Sequence, residues 1–427
     1  MSSLNRKIQP SVIQVSPSDL TEAKLSHLAN GIPVYSINAG VEDLVRMDFV
    51  FNAGQTFEKL PLVSSTVNMM LNEGSENYTA EAINKALDFF GAVPSLFAEK
   101  DTAGLSVAFL TRYTSEILEL CLEILFRPLF PVDELETLMK KRLQWFDVSR
   151  ERVQAVASDK FFESVFGSAH PYGKMTSRDD FSAVNAAMLS EFHSSYYFPG
   201  NLTIIIAGKI PAEMGSLLNA SFGMIPGKLP PADMNRPALL TGKPEKVFIE
   251  KKGAVQSAVR IGSVTINKKH PDYHGLKIVD TILGGYFGSR LMKNIREEKG
   301  YTYGISSSVV SYNLAAYKVI STEVGFKNTS VTVDEVFKEI KRLQTYPVER
   351  EELDTVRNFM LGEMVRMFDG PFATADTFRA VWEFGLNYSY YIAFAEKIKT
   401  IGPDEIIHLA RTYYKTEDLF EIIVGPE

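Results

Sequence analysis

Two stretches of the sequence, one in the middle and one at the end, close in the same way. EFHSSYYFPGNLTIIIAG carries Tyr196, Tyr197, Leu202 and Gly208, and HLARTYYKTEDLFEIIVG carries Tyr413, Tyr414, Leu419 and Gly425, each 217 positions further on. Upstream, Pro131, Val132, Leu135 and Thr137 recur as Pro347, Val348, Leu353 and Thr355, at offsets drifting between 216 and 218 as short insertions would produce. Ordered matches near one offset describe a duplicated chain. At 427 residues the chain is also too long for one ordinary core, so two domains of roughly 200 residues are expected.

The join is marked by Pro226, Pro230, Pro231, Pro237 and Pro244. Proline fixes φ and lacks a donor, so this stretch suits neither a helix nor a central strand. The expected organisation is an N-terminal domain over 1–223, a linker over 224–245 and a C-terminal domain over 246–427. Period-2 or short apolar runs predict strands near 46–51, 104–110, 202–207, 257–263, 303–311, 317–324 and 419–424. Helical periodicity covers 80–90, 115–125, 132–148 and 155–166 in the first half, and 273–284, 328–343, 349–368, 373–384 and 403–413 in the second. Helices follow one another without strict βαβ alternation. The predicted class is therefore α+β: two duplicated domains, each a mostly antiparallel sheet packed with helices.

Composition narrows the partners. The formal charge of -7 disfavours nucleic acid, which needs clustered basic surface. Lys140, Lys141 and Arg142 form the nearest basic cluster, read as a solvated helix face. No run of about 18 apolar residues is present, so no membrane span is expected. The N-terminal residues carry no secretory pattern, which makes the cytoplasm the expected location. Cys121, the one cysteine, sits in an apolar stretch and is expected to be a buried small hydrophobe.

The stretch LGGYFGSRLMKNIREEKGYTYG, 283–304, resembles the C-terminal-half signature of insulinase/pitrilysin-type zinc peptidases, a group that includes the mitochondrial processing peptidases. HPDYHGLKIVDTILGG, HPYG, LNEGSENYTAEAINKALDFFGA and the two repeated endings fit the same family in order, from about 28 to 425. The resemblance implies two similar αβ domains that close on each other like a clamshell.

Catalytic members of that family carry H-x-x-E-H on a helix. Two histidines one turn apart share a zinc ion, and the glutamate activates water. Aligning Glu73, Gly74 and Ser75 with the turn after that helix puts the motif on Ser65, Thr66, Val67, Asn68 and Met69; a shift of one residue puts it on Ser64 through Asn68. Neither register supplies a histidine or a glutamate, so Ser65, Asn68 and Met69 stand as degenerate zinc-motif positions. The third family ligand, a glutamate, would fall within RLQWFD, 142–147, whose only acid is Asp147. The chain is expected to bind no metal and no cofactor of its own. His270 and His274 are spaced i, i+4, but Pro271 and Asp272 read as a helix start that leaves His270 outside. His170 reads as a turn residue. Ser64 and Ser65 have no neighbouring base to activate them.

The family resemblance also implies an Arg and a Tyr, seven residues apart, that hold the substrate backbone and stabilise charge on the scissile carbonyl. The matching residues are Arg296 and Tyr303. The alternative is an Arg296 paired with a nearby acid and a Tyr303 that is simply a strand residue. A chain with this pair and without H-x-x-E-H resembles the non-zinc subunit of a two-chain peptidase. The expected function is therefore a catalytically deficient subunit that clamps a peptide or unfolded polypeptide. Its expected partner is an H-x-x-E-H-bearing subunit of similar size that holds the zinc; a homodimer is also open. The alternative is a structural or assembly protein with a peptidase-like fold.

Overall fold

The computed structural model describes residues 21–227 and 242–427. The expected linker, 224–245, therefore lies largely outside the described residues, as do the first twenty.

The first half runs β1 (Lys24–His27), β2 (Pro33–Asn38), β3 (Leu44–Phe51), α1 (Val63–Met69), α2 (Ala80–Phe89), β4 (Val93–Ala98), β5 (Ala103–Leu110), α3 (Thr114–Phe126), α4 (Val132–Arg150), α5 (Val153–Phe166), α6 (Asp180–Ala183), α7 (Ala186–Tyr196), β6 (Leu202–Gly208) and α8 (Met214–Ala220). The second half runs β7 (Lys246–Glu250), β8 (Gln256–Thr265), α9 (Tyr273–Asp280), β9 (Ile305–Ser311), β10 (Ala316–Gly325), α10 (Thr329–Thr345), α11 (Arg350–Arg366), α12 (Gly370–Trp382), α13 (Ser389–Thr400), α14 (Pro403–Tyr413) and β11 (Phe420–Gly425). Wider π-helical turns occupy Thr281–Gly285 and Met292–Glu298.

The sheets have the orders β1-β2-β6-β3-β5-β4 and β7-β11-β8-β10-β9. Without β1, the two match strand for strand. In each, the last strand of the half pairs parallel with an early strand, as β6 with β2 and β11 with β7. All other pairings are antiparallel. The repeated sequence endings thus fold into equivalent central strands, each entered from a helix that carries the Tyr-Tyr pair at its C-terminal end.

Every residue of β6 is buried, which requires both faces of the sheet to be covered. Ile204 and Ile206 face a core built with α1, α3 and α7, whose members include Val67, Ile117, Leu189 and Phe192. Ile205 and Ala207 face the other way, into a cluster with Ala375, Phe378 and Val381 of α12. The first sheet is therefore covered on one face by its own helices and on the other by a helix from the second half. The exchange is reciprocal. Phe161 and Val165 of α5 pack with Phe420 and Ile422 on the second sheet, and Ala157 packs with Ala258 and Val424.

Polar contacts fix both exchanged helices. Arg46 of β3 bonds Asp376 of α12 at 2.5 Å, and Arg379 of α12 lies over the Phe97 ring at 4.1 Å and donates to Thr102 at 3.1 Å. On the other side, Ser164 of α5 donates to Glu245 at 2.7 Å. The two hairpins at the junction also meet. Asp101 accepts from the Tyr172 hydroxyl at 2.6 Å and from the Asn313 amide at 2.9 Å.

The expected strand at 303–311 begins only at Ile305. Thr302 is the reason: its hydroxyl donates to the Glu323 carbonyl at 2.6 Å and accepts from the Gly304 amide at 3.1 Å, closing a local turn that competes with the ladder.

Candidate functional site

The degenerate motif lies on α1, a helix of seven residues. It starts after Leu62, whose φ of 78° makes it the one non-glycine residue with positive φ among the described residues. That backbone region is uncommon for a bulky side chain and marks a place held by its surroundings. Two faces of the helix are visible. Ser64 and Asn68 are buried and turned to the sheet, Ser64 donating to the Ala53 carbonyl at 2.6 Å and Asn68 to the Gly104 carbonyl at 2.9 Å. Ser65 and Met69 lie on the outer side, with Met69 47% exposed. The positions Ser65, Asn68 and Met69 are therefore close in the chain but do not converge on one point.

Opposite α1 stands Arg142, in the window where the third zinc ligand was expected. Its Nη2 donates to Ser65 Oγ at 2.8 Å, and its Nη1 donates to the Thr66 hydroxyl. Burial pushes the guanidinium below the usual arginine pKa. This corrects the reading of 140–142 as a wholly solvated face: Lys140 and Lys141 are exposed, whereas Arg142 faces inward. The signal was in the helical spacing. Leu135, Met139 and Arg142 share one side of α4, and the first two are buried. Asp147, the only acid in the window, is drawn away to Arg178 at 2.5 Å.

Glu58, which sequence reasoning did not single out, sits beside the same helix. Its carboxylate accepts from the Ser64 amide at 2.9 Å. Burial is the main cause that pushes its pKa up to about 7, and the Ser64 amide and Lys174 pull the other way. Nothing in the pattern around 55–60 marks this residue. Glu58, Ser65 and Arg142 line a common pocket with Gln55 and Lys174. Among the described residues, no group of three or more His, Cys, Asp or Glu side chains is placed to hold a metal ion.

Arg296 and Tyr303 lie in the other half. Arg296 belongs to the wide turn Met292–Glu298, where its guanidinium stacks over the Phe287 ring at 4.6 Å. Arg296 makes no ion pair among the described residues. Tyr303 is 94% exposed and lines a pocket of about 250 Å³ with Arg260, Thr302 and Glu323. Tyr303 and Ser65 line different pockets, one in each half of the chain.

The remaining candidates are structural. His170 Nδ1 accepts from the Tyr172 amide at 3.1 Å within the HPYG turn. His270 lies before α9 and accepts from the Asp272 amide at 3.1 Å, while His274 is wedged between Tyr390 and Phe394, where burial lowers its pKa to about 4. Cys121 is buried, which pushes its thiol up and leaves it inert.

Comparison with known proteins gives this geometry a setting. Residues 183–360 match the profile described as the peptidase M16 inactive domain. An uncharacterized zinc protease, YmxG of Bacillus subtilis, is 21% identical over 307 residues, covering 71% of this chain and 73% of the relative. The non-peptidase homolog YmxG of Helicobacter pylori is 22% identical over 366 residues, covering 83% and 82%. An uncharacterized zinc protease of Mycobacterium leprae is 24% identical over 245 residues, and the match spans only 55% of its length. Among solved structures, the peptidase M16 inactive domain from Pseudomonas fluorescens superposes with a TM-score of 0.87 at 22% identity, over 95% of this chain and 98% of that one. A Helicobacter pylori protease superposes at 0.85 and 16% identity, over 95% and 100%. These structural likenesses concern the fold.

Proposed function

Because the chain belongs to the insulinase/pitrilysin-type M16 peptidase family as a homologue without the zinc-motif histidines and glutamate, we propose that it is the non-zinc subunit of a two-chain endopeptidase. It supplies Arg296 and Tyr303 to a zinc site held by a partner of similar size. The carrying observation is that Arg296 makes no ion pair among the described residues, its guanidinium contacting only the Phe287 ring, and that Tyr303 is almost fully exposed. A guanidinium and a phenol held ready in this way suit the stabilisation of a developing oxyanion, where a fixed donor is worth about 10²–10³ in rate. Peptide or unfolded polypeptide would add as an extended strand along an open sheet edge, a mode that relies on backbone bonds and tolerates many sequences. Strand β4, with Val93, Pro94 and Ser95 exposed at the end of the first sheet, offers such an edge.

The test uses the assembled pair. Arg296→Ala and Tyr303→Phe are each expected to lower kcat/KM about 10²-fold while leaving assembly intact. Unchanged activity in both variants sinks the proposal, and stable assembly with no peptidase activity in any mixture favours a structural or assembly role instead.

A further inference from the structure

The pocket beside α1 has a volume of about 210 Å³ and is lined by Gln55, Glu58, Ser65, Arg142 and Lys174. Its charges are not balanced by one another at contact distance. Arg142 spends two of its five donors on the Ser65 and Thr66 hydroxyls and makes no ion pair among the described residues. Lys174 donates to the Lys59 carbonyl at 2.6 Å, again a neutral acceptor. Lys100, also facing Glu58, donates to the Gln55 amide oxygen at 2.8 Å. Glu58, the acid of the group, accepts from the Ser64 amide and has no basic side chain within ion-pair distance. A half-buried guanidinium held by hydroxyls alone is under-compensated, because a carboxylate is its stronger and geometrically matched partner.

We infer that the place of the lost metal site is a binding pocket for a carboxylate group, with Arg142 and Lys174 as its cationic partners and Ser65 orienting the guanidinium. The ligand class is a free carboxylate, from the C-terminus of a peptide or from a small organic acid. Glu58 faces the bound group and opposes it when ionised. Lys174, Lys100, Arg142 and the Leu62 and Ser64 amides are the groups that act on Glu58 in turn. With the Glu58 carboxyl raised to about 7, ligand affinity falls as pH rises through neutrality. The inference concerns this chain alone and stands or falls apart from any partner subunit.

The experiment is titration calorimetry on the full chain with a short peptide bearing a free C-terminal carboxylate, and with the same peptide as its C-terminal amide. The free acid is expected to bind and the amide to fail. Arg142→Gln is expected to weaken binding at least about tenfold. Lys174→Met, at an exposed side chain, is expected to weaken it with no change in melting temperature, which guards against a misfolded Arg142 variant. Glu58→Gln strengthens binding and removes its decline above about pH 7. Acetate competing with the peptide identifies a small acid as sufficient, and acetate failing to compete identifies the peptide chain as required; both fit the carboxylate chemistry. Equal binding of acid and amide, no binding of the acid, or full affinity in both the Arg142 and Lys174 variants overturns the inference.

Discussion

Arg46 holds Asp376 at 2.5 Å across 330 positions of chain, joining the first sheet to a helix of the second half. The same guanidinium holds Asp48 at 3.1 Å, and the two acids differ sharply in exposure, 4% for the Asp48 side chain and 67% for Asp376. Arg46→Met leaves Asp48 buried with only the Ser106 hydroxyl beside it, and is expected to cost about 3 kcal/mol. Asp376→Asn, which removes an exposed charge, is expected to cost less than about 1 kcal/mol. Urea unfolding of the two variants checks the order.

The reciprocal helix is tested at Gly262. A Cβ there would stand 2.0 Å from the Lys318 carbonyl oxygen and 2.9 Å from the Phe161 ring of α5. The backbone oxygen cannot move without opening the β8–β10 ladder. Gly262→Ala is expected to lose about 3 kcal/mol or more, whereas alanine at Gly362, with nothing near its Cβ, is expected to stabilise α11 slightly. Thermal unfolding of both variants distinguishes them.

The duplicated tyrosines are equivalent in position but not in bonding. The Tyr414 hydroxyl donates to Asp280 at 2.9 Å, where Ser307 also donates at 2.5 Å, deep in the second domain. Tyr197 is buried against Phe51 and His193, and its hydroxyl faces the Asn68 side chain rather than a carboxylate. Tyr414→Phe is expected to cost about 1–3 kcal/mol by leaving a buried carboxylate short of a donor. Tyr197→Phe, which leaves no buried carboxylate short of a donor, is expected to cost less, under about 1 kcal/mol. Equal costs at the two sites would contradict this difference.

Glu58 sets a pH dependence of stability. Its carboxyl sits at about 7 in the fold against 4.5 for the free side chain. Between those values the folded chain keeps a proton that the unfolded chain has released. Stability contributed by this residue is therefore full below about pH 4.5 and is lost progressively as pH rises through about 7. Glu58→Gln should match the parent near pH 5 and exceed it at pH 8, as read from urea midpoints.

The sequence carried the duplication and the class of fold plainly, because the repeated endings and the long amphipathic helices are strong local signals. The strands that escaped notice, β1, β2, β4 and β7, are short and mostly not buried: β1 and β7 have no buried residue, and β4 contains Pro94 and three exposed positions. The exchange of α5 and α12 was not legible either. Periodicity shows that a helix has an apolar face, but not which sheet that face covers. At the site, the absence of zinc-motif side chains could be read directly. The inward turn of Arg142 required placing it on the face of Leu135 and Met139, and Glu58 acquired meaning only through burial beside α1.

The most direct measurement is to purify the tagged chain from its native cell, identify what accompanies it by mass spectrometry, and assay peptide cleavage by the recovered material and by each chain alone. The expected result is a near-stoichiometric companion of similar size that bears H-x-x-E-H, with cleavage by the pair and by neither chain separately. Recovery of this chain by itself, or within a large assembly that cuts no peptide, would contradict it.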